Sequence, residues 1–88
     1  MPEISRFYGV TVTMYYGDPQ RHATPHFHAK YGEHQASFMI DPSAWLAGTL
    51  PRRQMQIVLG WAAIHSEELM RNWQQILAGE TVLKIEGL

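Results

Sequence analysis

The sequence predicts an α+β domain: a small antiparallel sheet of three to four strands packed against one long C-terminal helix. Three observations carry that reading. Tyr8 to Tyr16 alternates, with Tyr8, Val10, Val12, Met14 and Tyr16 on one side and Gly9, Thr11, Thr13 and Tyr15 on the other. Two further runs, His26 to Tyr31 and His34 to Ile40, flank a Gly32-Glu33 pair. After Pro51, apolar residues recur at three- and four-residue steps as far as Leu77. Period two marks a half-buried strand and period 3.6 an amphipathic helix.

The first strand ends at Gly17-Asp18-Pro19, where glycine permits a turn and proline cannot continue a ladder. The loop that follows, through Thr24, is polar. Gly32-Glu33 suits a two-residue hairpin turn, which fixes the register of the two strands it joins. Tyr31 then faces His34, Ala29 faces Ala36, Phe27 faces Phe38 and His28 faces Ser37, because residues directly opposite share a face. One face gathers Phe27, Ala29, Tyr31, Ala36, Phe38 and Ile40. The other gathers His26, His28, Lys30, Gln35 and Ser37, with Met39 as the apolar exception. The histidine pair is therefore expected outside the main core.

Asp41-Pro42-Ser43 reads as a turn and Ala44-Trp45-Leu46-Ala47 as a short fourth strand, with Trp45 in the core. Pro51 suits the first turn of a helix, where its missing N-H costs nothing. Met55, Val58, Leu59, Ala62, Leu69, Trp73, Ile76 and Leu77 form a stripe that stays in phase across Ser66. One helix from Pro51 to Ala78, closed by Gly79, is the simplest reading, and a break near His65-Ser66 is the alternative. At roughly 1.5 Å of rise per residue, part of such a helix extends past a small sheet and is a place for a partner. Trp61, His65, Glu68 and Asn72 form a second stripe beside the first. Left exposed, that stripe becomes an interface, since aromatics concentrate at binding hot spots. Thr81 to Ile85 alternates and either adds an edge strand or lies along the core.

Composition bounds the rest. An 88-residue chain, 45% hydrophobic and 17% charged, is one folded domain. Without cysteine it forms no disulfide and any metal ligands are imidazole and oxygen. Net charge is -1, so the chain lacks the basic field of a general nucleic-acid binder. Neither a signal-peptide pattern nor an apolar run of bilayer length is present, so the expectation is a cytoplasmic protein that does not engage membrane.

The segments Met1-Pro2-Glu3-Ile4-Ser5-Arg6-Phe7-Tyr8-Gly9, Pro25-His26-Phe27-His28-Ala29, Tyr31-Gly32-Glu33 and Leu50-Pro51-Arg52 stand out together. So do Trp61, His65, Glu68-Leu69 and Asn72-Trp73. With these residues the chain resembles the small bacterial proteins of domain of unknown function 4160. That resemblance implies no defined activity. It implies an arrangement beside a second small protein that looks like a toxin-antitoxin pair. The chain departs from the family in the loop Asp18 to Thr24, which looks longer here and adds His22.

Two chemistries compete on the histidine motif. Strand residues two apart project side by side, so His26 and His28 can give two imidazoles to a divalent transition metal. His22 or Asp18 is then the third ligand and Tyr15 a supporting partner. Alternatively His26, His28 and Lys30 form an acid-base set of the kind that cleaves RNA, with Lys30 steadying a phosphate. Against both stands a histidine pair that only hydrogen-bonds to the loop or to Ser37. A processed Pro2 amine is a further base without spacing support. Arg52 and Arg53 stand where the helix dipole disfavours cations, so they contact an acidic partner or solvent. The function expected first is a binding or regulatory module that meets a small partner protein through Trp61, His65, Arg52 and Arg53, with self-association open. The rival is a catalyst or metal site on His26 and His28.

Overall fold

A computed structural model describes residues 3–14 and 24–88. Among the described residues the chain lays down five strands in order: β1 (Glu3–Phe7), β2 (Val10–Thr13), β3 (His26–Tyr31), β4 (His34–Met39) and β5 (Ala44–Thr49). All neighbours are antiparallel, so the sheet is a meander with β1 and β5 at its edges. The sheet has one strand more than the upper expectation, and the extra strand is β1. Its alternation fails because the pairing with β2 slips between Glu3 and Ser5, leaving Ile4 and Ser5 both buried in succession. The strand expected from Tyr8 starts instead at Val10. Tyr8 (φ 48) and Gly9 (φ 77) are both left-handed, the backbone a tight primed hairpin turn requires.

The central hairpin has the expected register throughout: Tyr31 opposite His34, Ala29 opposite Ala36, Phe27 opposite Phe38 and His28 opposite Ser37. Gly32 holds the positive φ (58) that the turn needs. The apolar face is the core. Phe27 and Phe38 stack with ring centroids 5.4 Å apart, and Val10, Val12, Met14, Ala29, Ala36 and Ile40 are buried beside them.

Strand β5 runs on to Thr49 and is bulged. Ser37 pairs with Ala47 and Phe38 with Trp45, so Leu46 is the extra residue. Gly48 makes the approach to β4 feasible: its φ is 74, and a β-carbon there would lie 2.3 Å from the Gln35 carbonyl oxygen. Trp45, expected in the core, is 54% exposed because its strand is an edge with solvent on its outer side.

The long helix is in fact two, α1 (Arg52–Ile64) and α2 (Ser66–Leu77). His65 separates them with φ -107 and ψ 24, outside the helical region. The hydrogen-bond ladder nevertheless bridges the break, His65 N donating to Trp61 O (3.0 Å) and Leu69 N to His65 O (3.0 Å). That is why the apolar pattern stays in phase across the break. Most of both stripes turns inward: Val58, Ala62, Leu69, Trp73 and Ile76 are buried, and so are Trp61 and Asn72 from the second, whereas Leu77, expected in the first stripe, is 60% exposed at the last turn of α2. Helix α2 ends as expected at Gly79 (φ 75), with Gly79 N bonded to Ile76 O at 3.0 Å and Glu80 N to Gln75 O at 2.7 Å. The tail then lies along the core beside β1, where Ile85 is buried and its N-H donates to Ile4 O at 2.7 Å. Among the described residues no helix is long and apolar enough to cross a membrane.

Two glycines test this backbone in opposite directions. Gly48→Ala should lower unfolding free energy by about 2 kcal/mol or more, since strained φ and a backbone collision add. Gly60, in α1 with open space around it, should on Gly60→Ala gain about 1 kcal/mol. Urea midpoints of both variants check the pair.

Candidate functional site

The site begins where the chain enters β3. Pro25 O accepts the Ile40 N-H at 3.2 Å, which closes the strand end against β4. The next residue, His26, aims Nδ1 at the Thr24 carbonyl oxygen, 2.9 Å away. A carbonyl can only accept, so Nδ1 carries the proton and, in the neutral ring, the lone pair sits on Nε2. Trp73 of α2 packs on this ring at 5.0 Å between centroids, and His28 meets it edge-on at 5.3 Å. His26 is 2% exposed. The expectation of a histidine pair outside the core is thus corrected for His26, because α2 reaches the end of the sheet and covers it. His28 is half-buried between Thr13 and Ser37 on the neighbouring strands. Lys30, one step along the same face, is exposed between Thr11 and Gln35.

Structure and sequence therefore agree that His26, His28 and Lys30 share one flank of β3, but burial grades them. His22, Asp18, Tyr15 and Pro2 lie outside the described residues. Among the described residues no three histidine, aspartate or glutamate side chains gather as metal ligands.

The helix residues expected to form a partner surface are dispersed by burial. Trp61 has no exposed area, its ring lying 4.9 Å from Phe7 and 6.0 Å from Phe27 between centroids. Its Nε1-H donates to Glu86 O at 2.9 Å. The surface expected of an exposed Trp61 stripe is therefore absent. His65 is half-buried, with Nδ1 2.6 Å from Glu68 Oε1 and its ring 5.4 Å from that of Trp61. Arg52 and Arg53 are exposed at the start of α1, whose first turn holds no acidic residue and where, among the described residues, no side chain caps the helix. A shallow groove of about 370 Å³ between Asp41 and the residues Ser66, Glu67, Met70, Arg71 and Gln74 of α2 includes none of the histidines. At the β1 edge Arg6 bonds Glu3 at 2.7 Å and holds its carboxyl below the ordinary glutamate range, with Lys84 adding to the effect from 3.8 Å.

Two residues carry more than the sequence assigned them. Asn72 spends both ends of its amide on the tail, donating to Leu83 O (2.8 Å) and accepting from Leu83 N (3.0 Å). Trp45 stands on the surface with its Nε1-H bonded to Gly48 O at 2.7 Å. The local pattern pointed the other way for Trp45: Ala44 to Thr49 contains no charge, whereas an exposed edge commonly carries one.

Fold and site define the class as a small α+β domain, an antiparallel meander covered by two helices with a histidine pair at the sheet end. The chain belongs to the family described as "Domain of unknown function (DUF4160)", whose model matches residues 9–74, about three quarters of its length. The His26–Ala29 motif, Trp61 and Asn72 fall inside that span, and β1 and the tail fall outside it. No curated protein and no solved structure matches the chain.

Burial separates the two histidines experimentally. His26→Ala should lose about 2–3 kcal/mol, since it strips the Trp73 contact and leaves a void. His28→Ala should cost less than about 1 kcal/mol, as expected of a half-exposed position. Denaturant curves of the two variants decide this, and equal losses would contradict it.

Proposed function

We propose that this domain is a partner-binding module, one member of a toxin-antitoxin-like pair, and that it grips a small partner protein encoded nearby through Trp45 on β5. One observation carries the reading: the indole is 54% exposed yet fixed by its bond to Gly48 O. An exposed aromatic held in one orientation loses little freedom on binding, which is the character of an interface anchor. Leu46 beside it is also exposed, giving an apolar spot on an uncharged strand. The Leu46 bulge breaks the regular edge, so recognition proceeds through the side chain rather than by adding a strand. Arg52 and Arg53, exposed shortly after β5, supply charge for an acidic rim on the partner.

The test is affinity for the product of the neighbouring gene. Trp45→Ala should weaken it about 30-fold, the loss of one hot-spot side chain. His28→Ala should leave it within about threefold. Unchanged binding by Trp45→Ala overturns the reading.

A second reading rests on the Thr24 carbonyl, which orients the His26 ring in the way that backbone carbonyls orient metal-bound and catalytic histidines. On that reading His26 and His28 hold a divalent transition metal, or act with Lys30 on a phosphodiester. Equilibrium dialysis against Zn²⁺ and Ni²⁺ separates the cases. One ion retained per chain and released by His28→Ala supports a metal site, and no retained ion removes it.

A further inference from the structure

The tail is gripped in an unusual manner. Asn72 from α2 reads both main-chain groups of Leu83, Trp61 from α1 donates to the main-chain oxygen of Glu86, and Ile4 of β1 accepts the N-H of Ile85. Each of these hydrogen bonds goes to the backbone of the tail, to which the Lys84 side chain adds an exposed ion pair 3.8 Å from Glu3 on β1. Of the side chains of residues 83–86, Ile85 alone is buried, while Leu83, Lys84 and Glu86 are exposed. Two residues on, Gly87 lies against β1, where a β-carbon would sit 2.9 Å from Arg6 O. A surface that reads main chain at three points, accepts one aliphatic side chain and demands a close approach afterwards treats the tail as an extended peptide.

From this geometry we infer that the cleft between β1, Trp61 and Asn72 is a peptide-binding site, and that residues 83–87 occupy it as an internal ligand. Its external ligand is an extended partner segment with a branched aliphatic residue followed, two positions later, by glycine. The tail sets these requirements, because it already satisfies every contact. Binding needs the tail to leave, so the site is self-blocked and opens in competition with its own chain. The Schellman turn ending at Glu80 is the pivot, since the main-chain hydrogen bonds that close α2 are complete at Glu80, before the tail begins. The site lies at the β1 edge, across the sheet from Trp45 on β5, and stands independently of the role proposed for that residue.

The probe is a fluorescein-labelled synthetic peptide spanning Thr81 to Leu88, titrated into the full-length chain and read by anisotropy. A tethered competitor acts at an effective concentration in the millimolar range, so the wild-type chain should bind weakly. Ile85→Ala loosens the internal ligand and should raise peptide affinity at least tenfold, and adding Asn72→Ala should reverse the gain. No gain with Ile85→Ala overturns the inference. Native-state hydrogen exchange on the wild-type chain gives a second reading that no variant can disturb. The Leu83 and Ile85 amides should exchange at least tenfold faster than those of Phe38 and Val58, through local opening. Exchange of all four at one common rate, set by global unfolding, would make the tail an integral part of the core and overturn the inference.

Discussion

The fold depends on the enclosure of one side chain, the indole of Trp61. It touches Phe7 from the sheet edge and Phe27 from the sheet centre, and it donates to Glu86 in the tail. Three parts of the chain that are distant in sequence thereby share one residue of α1. Truncating a buried tryptophan typically costs about 3–5 kcal/mol, a large share of the 5–15 kcal/mol that holds a small domain together. A ring so enclosed is unsuited to be the exposed anchor of a partner surface, because presenting it would dismantle what it joins. The proposed recognition is therefore assigned to the surface, where the exposed tryptophan lies on β5.

The same logic regrades the histidine motif. A strand distributes alternate side chains to opposite faces, so Phe27 and Ala29 serve the core while His26 and His28 share the other side. Helix α2 then divides the pair by covering His26 with Trp73 and leaving His28 half open. Burial of an imidazole is tolerable here because the Thr24 carbonyl accepts its Nδ1 proton. One residue of the motif is consequently structural, and a loss of function on replacing His26 reports folding unless stability is measured alongside it.

Legibility followed the physics of each element. The central hairpin was readable to the residue because period-two patterning and a two-residue turn together leave one register. The end of α2 was readable because Gly79 supplies the left-handed residue of a common stop. Strand β1 was not, since its slip at Ser5 erases the alternation that identifies a strand. The break at His65 was only an alternative, because the hydrogen bonds that span it preserve the apolar phase. Trp45 read as core because a large aromatic is usually buried. What the sequence did not show is that its strand forms an edge, a property of the whole sheet rather than of the local pattern.

The division of labour among the tryptophans is the central claim: Trp61 and Trp73 hold the domain together and Trp45 meets the partner. Fluorine NMR of the full-length chain labelled with 5-fluorotryptophan tests it directly, since each of the three indoles gives one resonance. The account predicts that only the Trp45 line shifts between H₂O and D₂O, and that adding the partner moves this line and abolishes its solvent sensitivity. The Trp61 and Trp73 lines should stay in place. A Trp45 line that ignores the bound partner, or a Trp61 line that responds to solvent, would contradict it.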